Sequence, residues 1–191
     1  MIVGDRATFA IESEITAAVS ETSQLALGCF IIHVQGRPFG VRRPDASMLG
    51  CSFNEVNNRL EGRGKHSIPR LSDIDARAIA EAYLDAVYRE TSRTDFFRLS
   101  PSEFAEALNT SAVIWAPDGD EAFDDGSHVL QFDIGNKVRL IAFVNSVSPE
   151  DVPATLREEW VDANVFYDVL SRWSELFAAE RTRRLQGAAP T

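Results

Sequence analysis

With 191 residues, 45% hydrophobic and 25% charged, the chain has the composition of an ordinary globular domain, which excludes disordered, coiled-coil and collagen-like architectures. A chain of this length buries roughly 70% of the surface its unfolded form exposes, so folding needs neither a disulfide nor a metal. The formal charge of −10, from 29 acidic and 19 basic residues, disfavours any face that must lie on nucleic-acid phosphates or anionic lipid.

Ala7, Phe9, Ile11 and Ile15 alternate with Thr8, Glu12 and Glu14, which predicts a half-buried strand followed by a loop near 16–24. The apolar run Leu25 to Val34 reads as a central strand, and Gln35-Gly36 turns it into a hairpin return at Arg37 to Val41 with Pro38 at an edge. Ser52 and Glu55 have capping-box spacing before a short helix carrying Phe53, Val56 and Leu60 and stopping at Gly62. After a polar stretch from Gly64 to Ser72, a helix beginning near Asp73 carries Ile74, Ala78, Ile79, Ala82, Tyr83 and Ala86 on one broad face. Ser100-Pro101-Ser102-Glu103 combines a capping box with proline at the first helical position and opens a third helix through about Asn109. His128 to Ile134, a Gly135-Asn136 turn and Lys137 to Asn145 make the clearest hairpin. Thr155 to Val161 reads as a last strand or an extended lead, and Asp162 caps a helix striped by Val165, Phe166, Val169, Leu170, Trp173 and Phe177. The sum is a single α+β domain over residues 1–185, a largely antiparallel sheet packed by about four helices, with residues 186–191 a disordered tail.

Two cysteines, Cys29 and Cys51, provide no disulfide framework and no Cys-x-x-Cys spacing, which suits a reducing, cytoplasmic setting with both as core residues. The N-terminus lacks the pattern of a secretory signal, and the longest apolar run is far short of a membrane span.

Chemistry concentrates between two strand-like runs, Val113-Ile114-Trp115 and Val129 to Ile134. The intervening loop holds Asp118, Asp120, Glu121, Asp124 and Asp125 with no Lys or Arg among them. Such a scaffolded acidic loop suits a basic partner, with Trp115 as an aromatic anchor. The plainer reading takes Asp118-Gly119 and Asp125-Gly126 as turn dipeptides whose side chains bond their own backbone, leaving Asp120, Glu121 and Asp124 unassigned. A calcium loop does not fit, because Ala122 and Phe123 stand where a ligand and then glycine belong. His33, His66 and His128 share no metal-ligand spacing, although His128 directly after the acidic segment allows a small metal-assisted hydrolase that uses residues 118–125 with His128. Arg63-Gly64-Lys65-His66 is a small basic spot that reads as a solvated loop or a phosphate contact.

Several segments together resemble the immunity protein 42 family of bacterial polymorphic toxin systems. They are Ile2-Val3-Gly4-Asp5 with Phe9-Ala10-Ile11-Glu12-Ser13, the acidic run Trp115 to Ser127, Val129-Leu130-Gln131-Phe132-Asp133, and Val138-Arg139-Leu140-Ile141-Ala142-Phe143. The resemblance implies an α+β protein without catalytic residues or cofactor that binds and neutralises a cognate toxin domain. A toxin acting on nucleic acid would be basic, and an inhibitor carrying −10 would meet it quickly by electrostatic steering. The expected contact patch is Trp115, Asp118, Asp120, Glu121, Asp124 and Asp125.

Overall fold

The alternation that begins at Ala7 puts Phe9, Ile11 and Ile15 on one buried face of strand β2 (Phe9–Ala18) in the computed structural model, which describes residues 1–115, 121–145 and 151–187. β2 continues through the stretch expected to loop, because residues beyond a register shift between Ile15 and Ala17 still pair with the start of β3 (Ala26–Val34). That pairing is nonlocal and leaves no periodic trace in the sequence. Short β1 (Ile2–Gly4) pairs antiparallel with β2, while β4 (Arg37–Phe39) and β5 (Ser47–Met48) share the other edge of β3. Gln35 and Gly36 adopt φ of 49° and 77°, the left-handed pair the hairpin reading requires.

Helix α1 (Gly50–Glu61) starts two residues before the expected cap. Leu49 occupies the N-cap without a side-chain bond, and Ser52 is buried in the first turn, so the Ser52–Glu55 capping box does not form. A Cβ on Gly50 would stand 2.0 Å from the Ser23 carbonyl oxygen, so only glycine allows this close approach. Asp75, and not Asp73, caps α2 (Ala76–Val87) by accepting from the Ala78 amide. The Ser100–Glu103 box forms as expected at the head of α3 (Pro101–Thr110).

β6 (Ser127–Ile134), β7 (Lys137–Val144) and β8 (Arg157–Asp162) make a second antiparallel sheet, so the strands divide between two sheets instead of sharing one. Short α4 (Asp151–Thr155) is an element the sequence reading lacks, and its last residue, Thr155, is the first of the expected last strand. α5 (Ala163–Gly187) opens with Asp162 Oδ1 accepting from the Asn164 amide and runs two residues beyond the expected domain end; residues 188–191 of the expected tail lie outside the described residues. Five α-helices among the described residues and antiparallel strands confirm the single-domain α+β reading.

The second sheet is the middle layer. One face meets Phe9, Ile11, Phe30 and Ile32 of the first sheet and Phe166, Leu170, Trp173 and Phe177 of α5. Its other face, through Leu130, Phe132, Ile141 and Phe143, meets Ile79 and Tyr83 of α2 and Phe104 and Leu108 of α3. A strand covered on both sides has no use for alternation, which is why Val138 to Phe143 is buried without interruption. Cys29 is buried as expected, but Cys51 is exposed on the outer side of α1.

Candidate functional site

The lead-in to the acidic segment lies against β6. The Trp115 amide donates to Val129 O at 2.8 Å, the Gln131 amide donates to Val113 O at 2.8 Å, and Ile114 bridges Leu130. The lead-in is therefore a single bridge alongside β6 and not a full strand. Trp115 is only 1% exposed, wedged edge-on against Phe166 with ring centroids 5.9 Å apart and capped by the Arg59 guanidinium at 4.5 Å. This corrects the expectation of a surface anchor: a large apolar ring beside the core gains more from burial than from display, so Trp115 supports the segment and does not present it.

Asp118 and Asp120 lie outside the described residues. Beyond them Glu121–Phe123 forms a 3₁₀ turn in which Ala122 and Phe123 are buried while Glu121, Asp124 and Asp125 are exposed. Two apolar residues flanked by acids thus act as a plug. Phe123 packs edge-on against Phe30 with centroids 6.3 Å apart, and Ala122 O accepts from the Val41 amide at 2.7 Å. Asp125 Oδ1 accepts from the Ser127 amide at 3.0 Å, as the turn-dipeptide reading requires, and Gly126 follows at φ +81°. A Cβ there would stand 2.3 Å from Asn145 O, so glycine is obligatory. Three carboxylates accordingly face outward from a turn pinned to both sheets.

Beneath the segment lies a buried polar network that sequence reading missed. Arg59 is fully buried; it pairs with Glu55 at 2.8 Å and donates to Gln131 Oε1 at 3.0 Å and to the carbonyls of Ala112, just before the lead-in, and Ile114, within it. Gln131 Nε2 donates to Tyr167 Oη at 3.0 Å and to Asp133 Oδ1 at 3.2 Å, and Tyr167 donates in turn to Asp133. Burial, joined by the Asp133 charge, pushes the Tyr167 phenol far above its ordinary range, so it stays a donor. The signal for Arg59 was present: Ser52, Val56 and Arg59 occupy one buried face of α1, with Glu55 one turn before the arginine.

His66 joins this layer through Nδ1, 3.0 Å from Ala112 O. Burial, and then the Arg59 charge, lower its pKa, so the folded protein prefers it neutral. The unfolded chain takes up a proton near pH 6.5 that the folded chain resists. This contribution is therefore complete above that pH and is lost as pH falls from there through the lower folded value. Urea midpoints measured at pH 7.5 and 5.5 should show a fall that is smaller in His66→Asn; equal falls in both proteins would refute it.

Among the described residues, His128 and the acidic turn form no metal-like cluster. Its ring packs between Tyr83, Tyr88 and Phe143, with Nδ1 3.2 Å from Tyr83 Oη. Among the described residues no group of three His, Cys, Asp or Glu has metal-binding geometry, and no helix is long and apolar enough to cross a membrane.

The sequence profile described as immunity protein 42 matches residues 1–176. No curated protein matches the chain in sequence. Among solved structures, the crystal structure of CdiI from Burkholderia dolosa AUO158 superposes with a TM-score of 0.56 at 15% identity, covering 90% of this chain and 97% of that one, a likeness of fold.

Proposed function

The chain belongs to the immunity protein 42 family and is a toxin-neutralising immunity protein; we propose that it acts by stoichiometric, noncatalytic binding of a basic toxin domain to the face that carries Glu121, Asp124 and Asp125. The observation behind this reading is the exposure of three carboxylates on a turn whose own Ala122 and Phe123 are held in the core. A turn held this way loses little conformational freedom on binding, so more of the contact energy remains as affinity. The net charge of −10 would steer a cationic partner to it, and close charge pairs at such interfaces couple by about 1.5–7 kcal/mol. A specific interface buries roughly 1,600 Å² in total, more than the turn supplies, so Asp118, Asp120 and neighbouring sheet or helix surface complete the patch in this reading.

Co-expression with the toxin encoded beside it should restore growth and yield a stable complex on co-purification. Replacing Asp118, Asp120, Glu121, Asp124 and Asp125 with Asn or Gln should weaken that complex by at least about tenfold at low salt and flatten the salt dependence of its association rate. Unchanged affinity with an unchanged salt slope would remove the acidic turn from the interface.

A further inference from the structure

A second polar site plays no part in the acidic face. Arg63, Lys137, Asn164 and Tyr167 surround a cleft of about 180 Å³ where the segment after α1, the β6–β7 turn and the first turn of α5 converge. Arg63 lies over the Tyr167 ring at 4.9 Å and donates from Nη2 to Asn164 Oδ1 at 2.6 Å, which occupies the acceptor of that amide and leaves its NH₂ as a donor. Elsewhere Arg42, Arg59, Arg89 and Arg139 each hold a carboxylate. Among the described residues, Arg63 and Lys137 hold none within ion-pair distance.

The two carboxylates nearby are already engaged. Asp133, on the floor, accepts from the Gly64 amide at 2.7 Å, from Tyr167 Oη and from Gln131 Nε2. Asp162, the register partner of Lys137, accepts from the Asn164 amide at 2.9 Å. The uncommitted polar groups at the rim are thus predominantly donors, two of them cationic, beside the positive end of a 25-residue helix. We propose that this cleft is an oxyanion site that takes one carboxylate or phosphate group. Its volume suits a single such group and not a nucleotide. The oxyanion is either a free small anion or an acidic group carried by the bound toxin.

Titrating inorganic phosphate into the isotope-labelled full chain tests the site without assuming the immunity reading. Amide NMR signals of Gly64, Gly135, Asn136 and Asn164 should shift and saturate, and Arg63→Gln combined with Lys137→Gln should weaken the apparent affinity by at least about tenfold. Both side chains are exposed, so the variant should retain the native spectrum elsewhere. Shifts that grow without saturation, or that saturate equally in the variant, would overturn the proposal. Repeating the titration on the toxin complex separates the sources. Exclusion of phosphate by the toxin identifies the partner as the carrier of the oxyanion, and undiminished phosphate binding identifies a free anion.

Discussion

Arg59→Met is expected to destabilise the protein by about 3–5 kcal/mol, the cost of breaking a buried charge pair from one side. Arg59 has no exposed surface and serves Glu55, Gln131 and the carbonyls of Ala112 and Ile114 at once. Methionine fills part of the space but donates nothing, so the Ile114 carbonyl and the Gln131 oxygen lose the guanidinium, the Ala112 carbonyl keeps only His66, and Glu55 keeps a charge that is only partly solvated. The Trp115 ring also loses the cation stacked on it. Replacing Glu55 as well should recover part of the loss, because removing both charges costs less than stranding one. Urea unfolding of the two variants checks this; a loss below about 1 kcal/mol for Arg59→Met would mean that water replaces the guanidinium and that the network is not structural.

Phe123→Ala should act on both stability and function. The ring is 7% exposed and meets Phe30 edge-on, so its removal should cost about 3 kcal/mol through lost burial and the cavity left behind. The same substitution pulls the plug from under the acidic turn, and Glu121, Asp124 and Asp125 should then bind as a loose segment that must be ordered on contact. Toxin affinity measured by calorimetry at a temperature where the variant remains folded should fall by at least about tenfold. Loss of stability with full affinity would place the interface elsewhere. Trp173→Phe offers the contrast: Trp173 is equally buried and donates to Ser13 Oγ, so its replacement should lower stability and leave affinity intact.

Local chemistry was legible wherever neighbouring residues decide the outcome. The Ser100–Glu103 box, the Gln35-Gly36 and Gly135-Asn136 turns and the Asp125 turn each depend on a few adjacent side chains, and each forms as its residues predict. Elements held by distant partners were not legible. Ala17 and Ala18 of β2 pair with β3 beyond a register shift, β5 adds to the far edge of β3, and the start of α1 at Gly50 lies against the Ser23 carbonyl.

The candidate site divides along the same line. The acidic run is a property of the sequence alone, because charge and its spacing survive any fold. Which of its members face water depends on Ala122 and Phe123 finding the first sheet, and Trp115 changes from presumed anchor to core residue because Phe9, Phe166 and Arg59 converge on it. The sequence alone established an acidic α+β domain with the features of an immunity family, since composition, periodicity and motif are carried by the chain itself. Only the tertiary structure could split the strands into two sheets, bury Arg59 against the lead-in and Gln131, and bring Arg63 to Lys137, because those arrangements rest on contacts between residues far apart in the chain.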